Sequence, residues 1–143
     1  MPALGDFSPK ALVSTAKGFE FDFLKLPLNA LGEIRLPFSF EVQKDELVHG
    51  LAGWFDVAFA GSERRVVLST SPYEPCTHWA QMRFLFRRPI EMRAGQRLEG
   101  ELVMRANPQS SYDMTLDARC VGGSSIETQL FRLQSYYAWQ NDD

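Results

Sequence analysis

Within six positions, from Glu74 to Trp79, the sequence places a carboxylate, a thiol, a hydroxyl, an imidazole and an indole: Glu74, Cys76, Thr77, His78 and Trp79. Pro72 and Pro75 stiffen the stretch that begins at Ser71, because a proline fixes its own φ and restrains the residue before it. Stiff loops hold side chains in place and often carry function. Cys76 and His78 have the types of a nucleophile and its base. Such a pair needs facing side chains and a third group to orient the base, and no local signature of that chemistry surrounds it. A metal site has less support: the chain has only His49 and His78, and neither Cys-x-x-Cys nor His-x-x-x-His spacing occurs. A phosphate-binding glycine loop is missing too, since Gly50 and Gly53 sit in a strand pattern and Gly122-Gly123 runs into Ser124-Ser125 without a helix. Trp79 fits two readings, a half-buried packing residue or an aromatic wall for a cation such as guanidinium. His78 likewise reads as a structural histidine or as part of a site. Taken alone, these residues name no reaction.

The elements that must position this loop show period-two alternation, the pattern of strands. Phe19, Phe21 and Phe23 alternate with Glu20 and Asp22; Ile34, Leu36, Phe38, Phe40 and Val42 alternate with Glu33, Arg35, Ser39 and Glu41. Pro37, on the polar side of that run, cannot donate to a ladder and marks an edge or a bulge. From His49 to Ala60 both faces are fairly apolar, which predicts a strand covered on both sides, with Asp56 as an outward polar position. Arg65 to Thr70 is a short strand. Met82, Phe84 and Phe86 alternate with Gln81, Arg83 and Arg87, and Leu98, Leu102 and Met104 with Glu99, Glu101 and Arg105, Gly100 marking a bend. Tyr112, Met114, Leu116, Ala118 and Cys120 alternate with Asp113, Thr115, Asp117 and Arg119, and a last strand runs from Thr128 to Leu133. Lys10 to Lys17 forms a short helical turn or an irregular lead-in, and the polar tail Gln140–Asp143 frays. About eight strands separated by turns predict an all-β fold, an antiparallel barrel or barrel-like sandwich.

At 143 residues the chain fits one domain, spanning 1–143, with enough surface to bury a core without staples. Eleven Phe, four Tyr and three Trp suit strands. A net charge of −3 argues against a nucleic-acid module. Cys76 and Cys120 read as two free thiols of a reducing compartment. No signal peptide and no run near the roughly 18 apolar residues of a membrane span is visible, so a nuclear and cytoplasmic protein without membrane contact is expected.

The loop stands in an ordered set of segments. Leu47 to Phe59 contains Trp54-Phe55-Asp56-Val57; Leu68-Ser69-Thr70-Ser71-Pro72 and Glu74-Pro75 lead into Thr77-His78-Trp79; Ala106-Asn107 and Gln109 to Asp113 follow. In this order they resemble the C-terminal β-barrel of type I protein arginine methyltransferases, whose THW loop Thr77-His78-Trp79 is similar to. The last pair is most similar to the coactivator-associated, histone-directed branch. The resemblance covers about residues 6 to 137.

It implies a parent enzyme that methylates arginine in histones and other proteins with S-adenosylmethionine bound by an N-terminal Rossmann-like domain. That domain, its double-glutamate loop and the dimerisation arm are expected to be absent from this chain, and Tyr136-Tyr137 lies at the wrong end to be the family's tyrosine-rich helix. The resemblance therefore implies no catalytic residue, no cofactor-binding residue and no metal ligand here. It implies that Trp79 lines the pocket entered by the substrate arginine. His78 shapes the active site by pairing with an acidic residue of the missing half, and Thr77 fixes the loop. The chain alone is expected to be inactive and monomeric, the parent a homodimer. The other reading is a free-standing, non-catalytic β-barrel that binds peptides or small ligands.

Overall fold

The structure, a computed structural model, describes residues 2–61, 63–123 and 126–132. The described residues form nine antiparallel strands: β1 (Ala3–Leu4), β2 (Glu33–Glu41), β3 (Glu46–Gly53), β4 (Asp56–Ala60), β5 (Arg65–Ser69), β6 (Met82–Met92), β7 (Arg97–Ala106), β8 (Tyr112–Cys120) and β9 (Ile126–Arg132). They form a three-stranded sheet in the order β1-β6-β3, a four-stranded sheet in the order β2-β7-β8-β9, and the β4-β5 hairpin. The all-β antiparallel class expected from the alternation is what forms. Among the described residues no ladder closes these sheets into one hydrogen-bonded ring.

The core lies between the two larger sheets, where the apolar parities meet. Phe38 of β2, Leu98 of β7, and Met114, Leu116, Ala118 and Cys120 of β8 face Val48 of β3 and Phe84, Phe86, Ile90 and Met92 of β6. Phe84 and Phe131 join the sheets edge-to-face, with ring centroids 5.3 Å apart. Pro37 lies on β2, an edge strand of the four-stranded sheet, as its missing N–H requires. At Gly100 the ladder runs on with no shift in register, so the expected bend is not a break in pairing. Glycine is needed there for a different reason: a Cβ would stand 1.8 Å from the Asp117 carbonyl oxygen and 2.7 Å from the Phe38 ring. The irregularity in register falls instead between Val48 and Gly50, in β3.

Two other expectations are corrected. Phe19, Phe21 and Phe23 form no strand, and all three are exposed. A strand needs a partner ladder to satisfy its main chain, and none of the described strands reaches that segment. The run from His49 to Ala60 is two strands, broken at Trp54-Phe55, and β4 is largely exposed rather than covered on both sides. The lead-in holds a short 3-10 turn at Pro9–Ala11, started by Ser8, whose hydroxyl accepts from the Lys10 N–H at 3.3 Å. A second such turn, Leu28–Leu31, is latched by the Tyr112 hydroxyl, which donates to the Leu31 carbonyl at 2.8 Å. The final strand begins at Ile126, two residues earlier than expected. Leu133, Tyr136-Tyr137 and the tail Gln140–Asp143 lie outside the described residues.

Candidate functional site

The proline-stiffened loop joins β5 to β6 and grows from the end of the β4-β5 hairpin. At that end the Ser69 hydroxyl donates to Asp56 at 2.6 Å, so the outward polar position of Asp56 is used within the hairpin. One step on, the Thr70 hydroxyl donates to the Phe55 carbonyl at 2.8 Å and accepts from the Phe55 N–H at 3.1 Å. The main-chain N–H of Thr70 donates to the same carbonyl at 3.0 Å. The loop then turns, the Glu74 N–H donating to the Ser71 carbonyl at 3.1 Å.

Thr77 shapes the far end. Its hydroxyl accepts from the Trp79 N–H at 3.2 Å and donates to the Trp79 carbonyl at 3.1 Å, a side chain imitating a backbone turn. That bracket presents His78 and Trp79 side by side, their rings edge-to-face at 5.7 Å. Phe55 also meets the indole edge-to-face, at 6.0 Å. Three rings, Phe55, Trp79 and His78, thus stand in contact, and Trp79 remains 48% exposed. An indole held this way offers a surface to which a cation is drawn by the ring quadrupole.

Thr77, His78 and Trp79 are brought together as one unit. A cleft of about 550 Å³ beside them, between Val66–Ser69 and Glu74–Pro75, is lined by Thr77 but by neither His78 nor Trp79. Cys76 and Cys120 are both free, the first exposed and the second buried. Among the described residues, no hydrogen bond joins Cys76 to His78 and no third group orients the imidazole, so the geometry of a nucleophile and its base is not built. No group of three or more His, Cys, Asp or Glu that could hold a metal ion occurs among the described residues.

Three positions that matter here escaped the sequence reading. Phe55 reads as one more strand aromatic, yet it supports Trp79. Thr70 reads as a strand end, yet it pins Phe55. Gln81 falls on the polar parity of β6, yet it is buried, at 5% exposure, because it turns inward to partners at the loop base. A polar residue directly before an apolar strand is too common a pattern to have marked it.

The description of the arginine methyltransferase oligomerization subdomain matches residues 2–120. The chain is 39% identical over 136 residues to the histone-arginine methyltransferase CARMER of Drosophila willistoni, covering 95% of this chain and 26% of that one. It therefore spans about a quarter of the length of such curated relatives. Its fold is similar to a chain of the Trypanosoma brucei PRMT1 enzyme-prozyme heterotetrameric complex with AdoHcy, at a TM-score of 0.79 and 27% identity, over 93% of this chain and 44% of that one. Protein arginine methyltransferase 10 of Arabidopsis thaliana matches at a TM-score of 0.74 and 24% identity, over 92% and 42% of the two chains, a likeness that speaks for the fold alone. A match that runs from β1 to the end of β8 takes in most of the strands and the whole loop, and the chain belongs to the arginine methyltransferase oligomerization subdomain family.

Proposed function

We propose that this chain is the substrate-facing β-barrel of a protein arginine N-methyltransferase acting on histones and other proteins. The observation that carries the reading is the ring cluster: an exposed Trp79, steadied by Phe55 and His78 on a loop pinned at its base. A guanidinium stays protonated at neutral pH, and an aromatic face is a surface that holds such a cation without neutralising it. Methyl transfer to it depends on orientation and exclusion of water more than on a strong base. Trp79 supplies one wall of that pocket. His78 stands beside it to meet an acidic residue of the other half, and Thr77 fixes the turn that presents both.

The carboxylates that grip the guanidinium, and the S-adenosylmethionine that supplies the methyl group, belong in this reading to a Rossmann-like domain of the same parent. The described residues do not fit that cofactor: their only helical pieces are two 3-10 turns of three and four residues, and neither opens from a glycine-rich turn after a strand. Phe23, Leu24 and Leu28 stand exposed before β2, an apolar run of the kind a second domain covers. We assign them to contact with the Rossmann-like half. The chain alone is inactive and monomeric in this reading, and the parent is a homodimer of the nucleus and cytoplasm.

The test is made in the complete methyltransferase that carries this barrel. His78→Ala and Trp79→Ala are each expected to lower kcat/KM for an arginine-bearing histone peptide about tenfold or more, a loss of about 1.4 kcal/mol of transition-state stabilisation. The sheet signal in circular dichroism should stay unchanged. Full activity in both variants would remove the assigned roles and leave the binding-module reading in their place.

A further inference from the structure

Gln81 is the last residue before β6, and both the nitrogen and the oxygen of its side-chain amide are engaged. Its Nε2 donates to the Thr70 carbonyl at 2.8 Å, and its Oε1 accepts from the Phe7 N–H at 3.3 Å. Its own carbonyl accepts from the Gly5 N–H at 3.1 Å. Thr70 and Gln81 flank the loop on either side, and both are buried, Thr70 at 2% exposure. Buried polar groups persist where every partner is supplied, and here one amide satisfies groups from two separate segments. From Thr70 the contacts continue: its hydroxyl and main chain hold both main-chain polar groups of Phe55, and the Phe55 ring meets Trp79.

We propose that Gln81 is a positioning residue, an amide clamp that closes the base of the Ser71–Ala80 loop and ties it to the Gly5–Phe7 segment. The clamp sets where Trp79 stands. A hydrophobic side chain of the same volume fills the space but leaves the Thr70 carbonyl and the Phe7 N–H without partners. The loop base then opens, and Trp79 loses its support through Thr70 and Phe55. The clamp rests on geometry alone. Its consequence for arginine recognition rests on the methyltransferase reading above.

The experiment uses the chain with Trp54→Phe and Trp139→Phe, so that Trp79 is the sole indole. Gln81→Met is expected to raise acrylamide quenching of Trp79 about twofold with the sheet signal unchanged, the mark of a local opening. Gln81→Glu adds a readout that packing alone would not move. A protonated carboxyl both donates and accepts as the amide does, and burial raises its pKa. Quenching in Gln81→Glu should therefore be high at mildly alkaline pH and return toward that of the unsubstituted chain under mild acid. Unchanged quenching in a folded Gln81→Met overturns the clamp. Should that variant fail to fold, a flat pH profile in Gln81→Glu overturns it instead.

In the complete methyltransferase, Gln81→Met should raise KM for the arginine peptide about tenfold while kcat stays within about twofold, as for a lost binding wall. An opened loop with unaltered KM overturns the link to recognition and leaves the clamp standing. A parent without methyltransferase activity defeats the functional reading, and the quenching experiment still decides the clamp.

Discussion

Trp79 draws its position partly from Phe55, a neighbour distant in sequence whose ring meets it edge-to-face. An edge-to-face aromatic pair contributes about 0.5–1.5 kcal/mol beyond the area it buries. Phe55→Ala is therefore expected to lower stability by about 1 kcal/mol or somewhat more, and to shift Trp79 emission to the red as the indole gains water. Phe55→Leu should restore much of the stability but not the emission, since it fills space without presenting a ring edge. Emission unchanged in Phe55→Ala would show that the Thr77 bracket alone holds the indole. At this scale the sequence named Thr77, His78 and Trp79 of the candidate site, because they form a short contiguous motif. It did not name Phe55, Thr70 or Gln81. Their roles come from partners 11 to 74 positions away along the chain, as in the Gln81–Thr70 and Phe7–Gln81 hydrogen bonds. No local pattern records such a partner.

Among the strands, the outer face of the four-stranded sheet carries a charged ladder. Glu33 of β2 stands opposite Arg105 of β7 and accepts from it at 2.8 Å, while Arg35 donates to Glu33 at 2.7 Å and to Glu101 at 2.8 Å. The Arg35 hydrogen bond, with a smaller contribution from Arg105, holds the Glu33 carboxyl below the ordinary carboxylate range against an opposing cost of desolvation. A carboxylate whose pKa is depressed on folding stabilises the protein above its unfolded pKa, and that contribution is lost as pH falls through the folded value. Glu33→Gln should accordingly lower the urea midpoint slightly at neutral pH, and the difference should vanish in acid. A gap that persists below the folded pKa would mean that glutamine fails for reasons of packing. The effect is small, because exposed pairs of this kind are weak and screened by salt. The ladder has a second use. Charges and Pro37 on edge strand β2 discourage pairing with another chain. The alternation of glutamate and arginine was visible as a polar face, but which charges meet depended on the β2-β7 register.

Taken as a whole, the molecule buries one face of each large sheet and leaves the segment before β2 open, with Phe23 and Leu24 at 75% and 97% exposure. The family to which the chain belongs is described as an oligomerization subdomain, so sedimentation at micromolar concentration directly tests the expectation that this chain alone is a monomer. A stable dimer would contradict this and would point to the open apolar run, in which case Phe23→Ser should restore the monomer. The same run shows why sequence and structure part company at this scale. Phe19, Phe21 and Phe23 alternate as well as any strand in the chain, but alternation records only the wish for a covered face and not the existence of a cover. The sequence by itself determined the all-β class, the inward parities of β2, β6, β7 and β8, and the loop that presents Trp79, since side-chain period and short motifs are local properties. Only the tertiary structure decided the three-sheet pairing, the need for glycine at position 100 and the inward turn of Gln81. Each of these depends on which distant backbone group arrives within hydrogen-bonding or van der Waals distance.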